Sequence, residues 1–287
     1  MSIKNQTIFE KPIVPYVKLV SKIFGWYFLP IALFSYFTNK KIKVHAKGCD
    51  FYIKLDYWNL RLLDILEKKV NDDIYLFSSN KKKIYARIAN VADLEGEYFS
   101  NKQSEFYKHD YKNKRVLDIG GYIGDSALLF LENGAKHITI YEPIQSNVEL
   151  IKLNMQGNEK RYTIYPNFIS DYDGEMEVTS LYEPGSMGFG IEGGENKYKK
   201  TCSDIRKVID CKYDVIKMDC EGCEYSLLSV SDNLIRKIPY WIIEFHDINK
   251  RKEYKKLLKK FKDNKFKIIK KINLNEETNI IHFNYEV

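Results

Sequence analysis

The spacing of apolar residues changes near residue 114. Beyond that point, short runs rich in Val, Ile, Leu and Tyr alternate with stretches whose apolar residues recur at helical spacing. This alternation predicts βαβ units, in which a parallel sheet is covered by helices on both faces. The predicted strands are 115–120, 137–143, 161–170, 213–219, 240–246, 266–272 and 279–285.

These runs predict an α/β fold with a doubly wound, mostly parallel, seven-stranded sheet. The last two strands are expected to form an antiparallel hairpin that closes the sheet. We therefore expect residues 111–287 to form one catalytic domain of the Rossmann-like kind. In such a domain, ligands bind at the carboxyl ends of the strands.

The chain before this domain has a different pattern. Residues 41–55 alternate around a Lys-Gly turn and residues 74–88 around a Ser-Ser-Asn turn, so both predict hairpins. Residues 57–70 have helical spacing between them. We expect 41–110 to be a mixed α+β extension that follows an apolar segment, 1–40.

The apolar segment contains no charged residue from Ile23 to Asn39, and Lys40, Lys41 and Lys43 follow directly. A helix that spans a bilayer needs about 20 apolar residues, and this stretch is shorter and contains glycine and proline. Aromatic residues beside lysines are typical of a helix in the membrane interface, and they also suit a helix docked on the protein's own core. We expect peripheral membrane contact through residues 12–43 or such docking, ahead of a true span.

Charge and cysteine content indicate the cellular compartment and the partners to expect. The 287-residue chain has a formal net charge of +7 and five cysteines, which is an odd number. No small-residue cleavage site follows its apolar segment. We therefore expect a cytoplasmic protein, with membrane association as an option. Between Lys250 and Lys271 there are twelve basic residues and two acidic ones. This stretch begins as an amphipathic helix whose basic face is either simply solvated or attracts a polyanion such as RNA.

The glycine-rich turn after the first strand of the domain indicates the cofactor. Gly120, Gly121 and Gly124 allow a sharp turn and close approach to a ligand, and Asp118 and Asp125 flank them. Negative charge there is unfavourable for the pyrophosphate of a dinucleotide, but it suits the ammonium and sulfonium groups of S-adenosylmethionine (SAM).

A further acid, Glu142, ends the next strand, where a carboxylate can accept both ribose hydroxyls of an adenosine. Alternatively, the two aspartates merely cap turns and a helix start. The acid at the second strand end favours the cofactor interpretation.

Four blocks in this part of the chain resemble the FkbM-type methyltransferases, which are class I SAM-dependent enzymes that mostly methylate hydroxyl oxygens. The blocks are "VLDIGGYIGDSALLFLENGAKHITIYEPIQSNVELIKLN", "FISDYDGEMEV", "VIKMDCEGCEYSLL" and "IIEFH". The resemblance covers about residues 95–250. It implies that Asp118, Gly120 and Gly124 hold the methionine part of SAM and that Glu142 binds the ribose.

The same resemblance implies that Asp171 lies near the adenine. Family members usually have Ala-Asn where this chain has Gly121-Tyr122. A loop contact made by that asparagine must therefore be lost or replaced.

The stretch "MDCEGCEY" (218–225) combines two cysteines with three acids. A structural zinc site usually has four ligands, and a thioredoxin-like C-x-x-C is expected near the first βαβ unit of a chain, so we expect Cys220 and Cys223 to be packing residues. The acids follow the strand that ends where the SAM methyl should point. We therefore expect the chemistry of this stretch to come from its carboxylates.

We expect Asp219, Glu221, Glu224 and His246 to be the catalytic residues. Since SAM supplies the methyl group, the protein has to align an acceptor oxygen and take up its proton. One of the carboxylates or His246 could be that base. The three acids could instead bind Mg²⁺ or Ca²⁺, and Glu224 could simply stabilise the dipole of its helix.

These features predict a SAM-dependent O-methyltransferase that acts on a hydroxyl of a sugar, a glycan, a lipid-linked glycan or a small metabolite. One alternative is an RNA methyltransferase of the tRNA type, although the chain has Asp-Cys-Glu-Gly in place of an Asn-Pro-Pro-Tyr-type motif. The other is a SAM-binding, membrane-associated protein without catalysis. The glycine-rich stretch 183–194 is expected to be a flap over the acceptor or a plain loop.

Overall fold

The computed structural model describes residues 13–90, 94–180, 189–190, 197–246, 248–249 and 252–286. The chain divides into two units, of which the first ends at Phe99 and the second begins at Ser100. Most of the predicted flap, 183–194, lies outside the described residues.

The first unit combines short helices with two small sheets. It contains helices α1 (Ile13–Phe24), α2 (Leu29–Thr38) and α3 (Tyr57–Ile65), strands β1 (Lys41–Ala46), β2 (Cys49–Lys54), β3 (Leu66–Lys69), β4 (Tyr75–Ser79) and β5 (Lys82–Ala86), 3₁₀ turns at Trp26–Phe28 and Ile88–Asn90, and a π-helical turn at Leu94–Phe99. β1 pairs with β2, and β4 lies between β3 and β5.

Both hairpins predicted in this unit are confirmed. β1 and β2 are antiparallel around Lys47 and Gly48, and β4 and β5 are antiparallel around Asn80 and Lys81. All four turn residues have positive φ, as the two-residue turns of hairpins require. The second turn therefore consists of Asn80-Lys81 and not of Ser-Ser-Asn.

The helix predicted over 57–70 is too long. It ends at Ile65, and Leu66–Lys69 forms a strand paired with β4. Only Leu66 of these four residues is buried, so the following Glu-Lys-Lys offers no apolar face to a longer helix. Pairing with β4 satisfies the backbone instead.

The second unit contains the predicted doubly wound sheet. Its elements are α4 (Lys102–Phe106), β6 (Arg115–Ile119), α5 (Asp125–Glu132), β7 (His137–Tyr141), α6 (Gln145–Asn154), β8 (Tyr162–Tyr165), β9 (Phe168–Ser170), β10 (Gly174–Ser180), β11 (Phe189–Gly190), β12 (Lys197–Asp204), α7 (Ile205–Val208), β13 (Val215–Met218), α8 (Asp232–Arg236), β14 (Tyr240–Phe245), α9 (Lys252–Asp263), β15 (Phe266–Asn273) and β16 (Asn279–Tyr285), with 3₁₀ turns at Glu159–Arg161 and Cys223–Ser229.

The large sheet has seven strands in the order β15-β16-β14-β13-β6-β7-β8. The five strands from β14 to β8 are parallel, and the terminal hairpin of β15 and β16 adds to β14 in the antiparallel sense. The fold is therefore the mostly parallel, Rossmann-like sheet that the alternating pattern predicts. The chain order reverses between β6 and β13, which makes their carboxyl ends the switch point of the sheet.

Each face of the sheet carries its own core, because successive strand residues point to opposite faces. Leu117, Ile216 and Trp241 pack with α9 and the 223–229 turn on one face, and Val116 and Val215 pack with α5 and α6 on the other. Both cores consist of fully buried side chains. They hold β6 and β13 rigidly at the centre of the sheet.

Two predicted elements are divided in the structure. The run 161–170 forms β8 and β9, separated by Pro166 and Asn167, and β9 belongs to a second sheet of order β11-β10-β12-β9 that the pattern did not predict. Residues 224–237, whose apolar residues recur at helical spacing and predict one helix, divide at Ser231, whose hydroxyl accepts a hydrogen bond from the Leu234 amide at 3.3 Å and so begins α8.

Candidate active site at the switch point

The turns that follow β6 and β13 touch each other at the centre of the sheet. Gly120 has a φ of +84°, and a Cβ atom added there would lie 1.7 Å from the carbonyl oxygen of Asp219. Only glycine fits this position, because both the conformation and the contact exclude a side chain. The two turns can therefore approach each other this closely.

A buried cation joins the same two turns. The ammonium group of Lys217, in β13, lies 3.1 Å from Asp118 Oδ1 and 3.7 Å from Asp219 Oδ2, and it donates to the Gly120 carbonyl oxygen at 2.7 Å. Burial by itself lowers the pKa of Lys217, but the carboxylates of Asp118, Asp219 and Asp125 more than offset this and raise it above its usual value. Lys217 is therefore a permanent positive charge at the switch point.

Asp118 is completely buried beneath the glycine turn. Its Oδ2 accepts a hydrogen bond from the Ser126 hydroxyl at 2.6 Å, whereas Oδ1 has the ion pair with Lys217 and no hydrogen-bond donor among the described residues. Burial raises the pKa of Asp118, and Lys217 opposes that shift. The side chain lies under the turn and fixes its shape.

The glycine turn packs closely on the sheet because its glycines have no side chains. A Cβ atom on Gly121 would lie 2.3 Å from the Ile140 side chain, and Gly124, with a φ of +91°, directly precedes α5. Asp125 occupies the first turn of that helix and accepts a hydrogen bond from the Gln103 amide. Burial raises the pKa of Asp125 to about 6.

Glu142 ends β7 beside the glycine turn. Its Oε1 accepts from the Ile144 amide at 3.0 Å and from the Asn147 side chain at 3.3 Å, and its Oε2 accepts from the Tyr122 amide at 2.9 Å. A carboxylate has about four acceptor positions, so Oε2 retains one for a ligand hydroxyl. Burial raises the pKa of Glu142 to about 7.

Tyr122 replaces the asparagine that is usual in the resembling enzymes. It has a φ of +46°, and its contact with Glu142 is made by the backbone amide, which every residue type except proline can supply. The turn therefore keeps its contact with the second strand without the asparagine.

The turn after β13 has two consecutive residues in the left-handed region, Glu221 with a φ of +55° and Gly222 with a φ of +113°. A disulfide between Cys220 and Cys223 closes this turn. The interpretation of these cysteines as packing residues is therefore wrong, because their spacing at a tight turn brings the two sulfurs together. The disulfide braces the stretch that carries Asp219 and Glu221.

His246 follows β14 and lies among four acids. Its Nε2 is 3.7 Å from Asp219 Oδ1, 3.7 Å from Glu221 Oε2 and 3.6 Å from Glu244 Oε1, and its Nδ1 is 3.5 Å from Glu224 Oε1. Burial by itself lowers the pKa of His246, but the neighbouring carboxylates outweigh it and raise the pKa to about 10. At neutral pH, His246 is therefore an imidazolium and has no free lone pair with which to accept a proton.

Glu224 does not reach the open side of the site. It is fully buried, and its two oxygens accept hydrogen bonds from the backbone amides of Gly222 and His246, each at 2.9 Å. It therefore ties the turn after β13 to the end of β14. These contacts are those of a side chain that positions the turn, and the catalytic role expected from the sequence stays a prediction.

The remaining two acids keep contact with solvent. The side chain of Asp219 is 31% exposed and that of Glu221 is 56% exposed. Asp219 lies between the cations Lys217 and His246, so its carboxylate is held at the end of β13. Of the four predicted catalytic residues, Asp219 has the position best suited to meet a ligand at the switch point.

The cluster could also bind a metal cation. The ligands would differ from the three acids Asp219, Glu221 and Glu224 that the sequence predicts. One ligand atom each from Asp219, Glu244 and His246 lies within 4.8 Å of the other two. A metal ion at these atoms must displace a proton from His246, since only neutral imidazole is a ligand. Glu224 is turned away, so the set Asp219, Glu221 and Glu224 does not fit.

Two residues of the site escaped the sequence analysis. Lys217 is a lysine inside the otherwise apolar strand "VIKM", and a charge at the centre of a buried strand is a signal that it has a partner. Glu244 lies two residues before His246 in "IIEFH" and shares its surroundings. Both could have been found by asking which charged residues interrupt predicted core strands.

Asp171 lies apart from these contacts in the described structure. It is exposed and follows β9 of the second sheet, and its carbonyl oxygen accepts a hydrogen bond from Arg206 at 2.8 Å. Its predicted proximity to adenine remains a prediction that rests on the resemblance.

Comparison with known proteins identifies the family. Residues 118–268 match the family model of the methyltransferase FkbM domain, which covers more than half of the chain. The chain belongs to the FkbM methyltransferase family. It is therefore a SAM-dependent methyltransferase, as the acidic glycine turn and the resemblance predicted.

Similar proteins include one from a virus and several of known structure. Uncharacterized protein 158B of Sulfolobus islandicus rod-shaped virus 1 is 26% identical over 175 residues, which are 61% of this chain and 79% of that protein. Trm5b from Pyrococcus abyssi has a TM-score of 0.46 at 12% identity, over 85% of this chain and 62% of that one. TYW2 from M. jannaschii, solved in complex with AdoMet, has a TM-score of 0.44 at 12% identity, over 75% and 87% respectively.

The residues of this FkbM protein fit the cofactor of its family. The absence of side chains at Gly120 and Gly121 lets the glycine turn pack directly on the turn after β13 and on Ile140, and Glu142 Oε2 retains an acceptor position for a ribose hydroxyl. Asp118 and Asp125 supply negative charge that suits a ligand with a sulfonium and an ammonium group.

Replacing Gly120 with alanine should destabilise the protein much more than the same change at Gly157. Both glycines have positive φ, which costs alanine about 1–2 kcal/mol, but only at Gly120 does the new methyl group collide with backbone, and we expect about 1–3 kcal/mol more. Urea unfolding of the two variants gives the comparison. Equal losses of unfolding free energy would contradict the close contact between the turns.

Binding of S-adenosylhomocysteine should strengthen as the pH rises through 7. The protonated form of Glu142 is a poorer acceptor for ribose, and with a pKa of about 7 its ionised fraction grows about tenfold from pH 6 to pH 8. Calorimetric titration at the two pH values should therefore show up to about a tenfold gain in affinity. The Glu142→Gln variant is the control, and an unchanged pH dependence in that variant would assign the titration to another group.

The stability contributed by His246 should decline at alkaline pH. Its pKa is about 10 in the folded protein and 6.5 in an unfolded chain, so its contribution is complete below pH 6.5 and disappears as the pH passes 10. The difference in unfolding free energy between the wild type and His246→Gln should accordingly shrink from pH 6.5 to about pH 10. A difference that stays constant or grows would show that His246 is not held as an imidazolium.

Proposed function

We propose that this FkbM protein is an O-methyltransferase whose acceptor is a hydroxyl of a sugar, a glycan, a lipid-linked glycan or a small metabolite. The observation that carries the proposal is the position of Asp219. It is a partly exposed carboxylate at the switch point, fixed between Lys217 and His246.

Methylation of a hydroxyl needs few groups from the protein. The cofactor supplies a methyl group activated by its sulfonium. The protein has to hold an acceptor oxygen in line with that group and take up the hydroxyl proton as the oxygen becomes bonded to carbon. A carboxylate that faces the acceptor is sufficient for the proton.

Residues around the glycine turn are proposed to orient the cofactor. Glu142 accepts a ribose hydroxyl at Oε2, and the backbone of Gly120, Gly121 and Gly124 lets the ligand approach the sheet. Asp118 supports the turn from below through Ser126 and Lys217. Asp125 adds negative charge near the start of α5.

Asp219 is the proposed base, and its neighbours hold it in place. His246 keeps its own proton and supports the carboxylate, and Lys217 does so from the other side. Glu224 positions the turn through its two backbone contacts. Glu221, which is more exposed, is the second carboxylate available to an acceptor.

A second acceptor class, RNA, has one supporting feature. The exposed face of α9 carries Lys255, Lys256 and Lys259, and Leu257 and Phe261 pack this helix on the same core as the 223–229 turn. A basic face on a helix can follow a phosphate backbone. An assay with both kinds of acceptor distinguishes hydroxyl methylation from RNA methylation.

The conservative variant Asp219→Asn should transfer methyl groups at least about 100-fold more slowly than the wild type, because the amide cannot take up a proton. Its affinity for S-adenosylhomocysteine should remain within about threefold. The assay incubates the enzyme with tritiated SAM and separate panels of sugars, glycolipid extracts and RNA.

Products from the sugar and glycolipid panels should contain methyl ethers, which survive treatment with alkali. Methylation of a carboxylate would instead give a methyl ester, which releases methanol under the same treatment. Transfer by Asp219→Asn at the wild-type rate would refute the assignment of the base. Label found only in RNA, together with binding that weakens steeply with salt, would replace the hydroxyl proposal with RNA methylation.

A further inference from the structure

The first unit exposes an unusual group of apolar side chains. Among the described side chains, twelve large apolar residues are exposed, and half of them lie between Val14 and Phe37, in α1, α2 and the turn that joins them. These six are Val14, Trp26, Tyr27, Ile31, Phe34 and Phe37, which we call the aromatic face. Trp26 is 67% exposed and Tyr27 is 84% exposed, although both are large enough to gain from burial.

The opposite side of the two helices is packed and hydrogen-bonded. The Tyr16 hydroxyl lies 2.8 Å from the Ala32 carbonyl oxygen and 2.9 Å from that of Leu55, and its ring is buried. The Ser35 hydroxyl donates to the Lys40 carbonyl oxygen at 2.7 Å and accepts from the Leu55 amide at 2.9 Å. The helices are therefore fixed to their own unit through one side, and this attachment directs the aromatic face outward.

The stretch of sequence that contains this face is basic, although Lys22 and Lys43 pair with Asp64 and Asp50. From residue 11 to residue 49 the chain contains seven lysines and no acidic residue. Lys40 and Lys41, both exposed, directly follow α2, and the Lys40 ammonium lies 5.9 Å from the centre of the Phe34 ring. Lysines beside exposed aromatic residues match a surface that is apolar inside and negatively charged at its boundary.

The geometry favours lying on a bilayer over crossing it. Among the described residues, no single helix is long and apolar enough to span a membrane, and the pair Val14–Phe24 and Trp26–Thr38 meets the length and composition criteria only together, with a bend of 117°. A spanning helix needs about 20 residues in one direction. Trp and Tyr at the bend are residues that prefer the level of the lipid headgroups.

We propose that the aromatic face and the adjacent lysines form a monotopic anchor, which inserts into the interfacial region of a bilayer that contains anionic lipids. The buried side of α1 and α2 stays attached to the protein, and Trp26, Tyr27, Phe34 and Phe37 enter the headgroup layer. This anchor is independent of methyl transfer, so its test needs neither cofactor nor acceptor.

The test is sedimentation of the full chain with vesicles. Vesicles of phosphatidylcholine with about one third phosphatidylglycerol should bind the wild type at least about tenfold more tightly than vesicles of phosphatidylcholine alone. The double variant Phe34→Ser/Phe37→Ser should lose most of this binding. Its matched control is Ile268→Ser/Ile269→Ser, which removes two exposed apolar side chains of the second unit and should bind like the wild type.

A second pair of variants tests the charge. Lys40→Gln/Lys41→Gln should weaken binding to the anionic vesicles severalfold, and Lys255→Gln/Lys256→Gln, which removes two exposed lysines of α9, should not. Circular dichroism checks that each variant is folded. Loss of binding in the α9 variant alone would overturn the proposal and assign the contact to the basic helix.

Quenching by brominated lipids locates the contact. The chain has three tryptophans, so the measurement uses a Trp58→Phe background. In that background Trp26 should be quenched on vesicles, whereas Trp241, which is fully buried, should not, and the further change Trp26→Phe should abolish the quenching. Anionic vesicles that fail to bind the wild type would overturn the proposal. So would a concentration-dependent dimer that the Phe34→Ser/Phe37→Ser change dissociates in the absence of lipid, since a second copy would then cover the aromatic face.

Discussion

A single buried ammonium group organises the centre of this protein. Lys217 lies inside the sheet and is neutralised by Asp118 and Asp219, and it donates to the carbonyl oxygen of Gly120. A buried charge without partners costs several kcal/mol, roughly 3–5 when one partner of a pair is removed, so these groups have to be kept together. Because they come from β6, β13 and the turns that follow them, the ion pairs fix the two turns of the switch point relative to each other.

This arrangement gives the site its chemical character. Two cations, Lys217 and His246, are held by a larger number of carboxylates, and the most accessible of these are Asp219 and Glu221. Such surroundings suit a cofactor with sulfonium and ammonium groups and disfavour a pyrophosphate. The same carboxylates raise the pKa of His246 to about 10 and so remove the histidine from the choice of base. Among the predicted catalytic residues, this leaves the partly exposed carboxylates of Asp219 and Glu221 as the candidates for the proposed base.

Most of the fold follows from local pattern and can be predicted from it. The seven strands, the terminal hairpin and the two early hairpins depend on the period of apolar residues and on turn residues such as Lys47-Gly48. The errors occur where pairing with another strand decides: Leu66–Lys69 becomes a strand because β4 is available, and β9 leaves the large sheet to pair with β12. β12 lies too far along the chain from β9 for a local pattern to indicate it. β4 directly follows β3 in the chain, but Leu-Glu-Lys-Lys lacks the alternation of apolar residues that would predict a strand.

The candidate site is likewise predictable from the sequence only in part. The acids and glycines around the switch point are visible as a motif, because their spacing follows from strand ends and turns. The roles of Glu224 and His246 cannot be read from the motif, because they depend on which backbone amides and carboxylates the fold brings close to these side chains. The aromatic face is intermediate: its apolar content is evident in the sequence, but only the packing of Tyr16 and Ser35 shows which side faces outward.

The central claim is that the acidic switch point selects SAM over a dinucleotide. Calorimetric titration of the purified chain with S-adenosylhomocysteine and, in parallel, with NADH tests it most directly. We expect one-to-one binding of S-adenosylhomocysteine and no heat with NADH. Binding of NADH, or of neither ligand, would contradict the assignment of the glycine turn and of the carboxylates around Lys217.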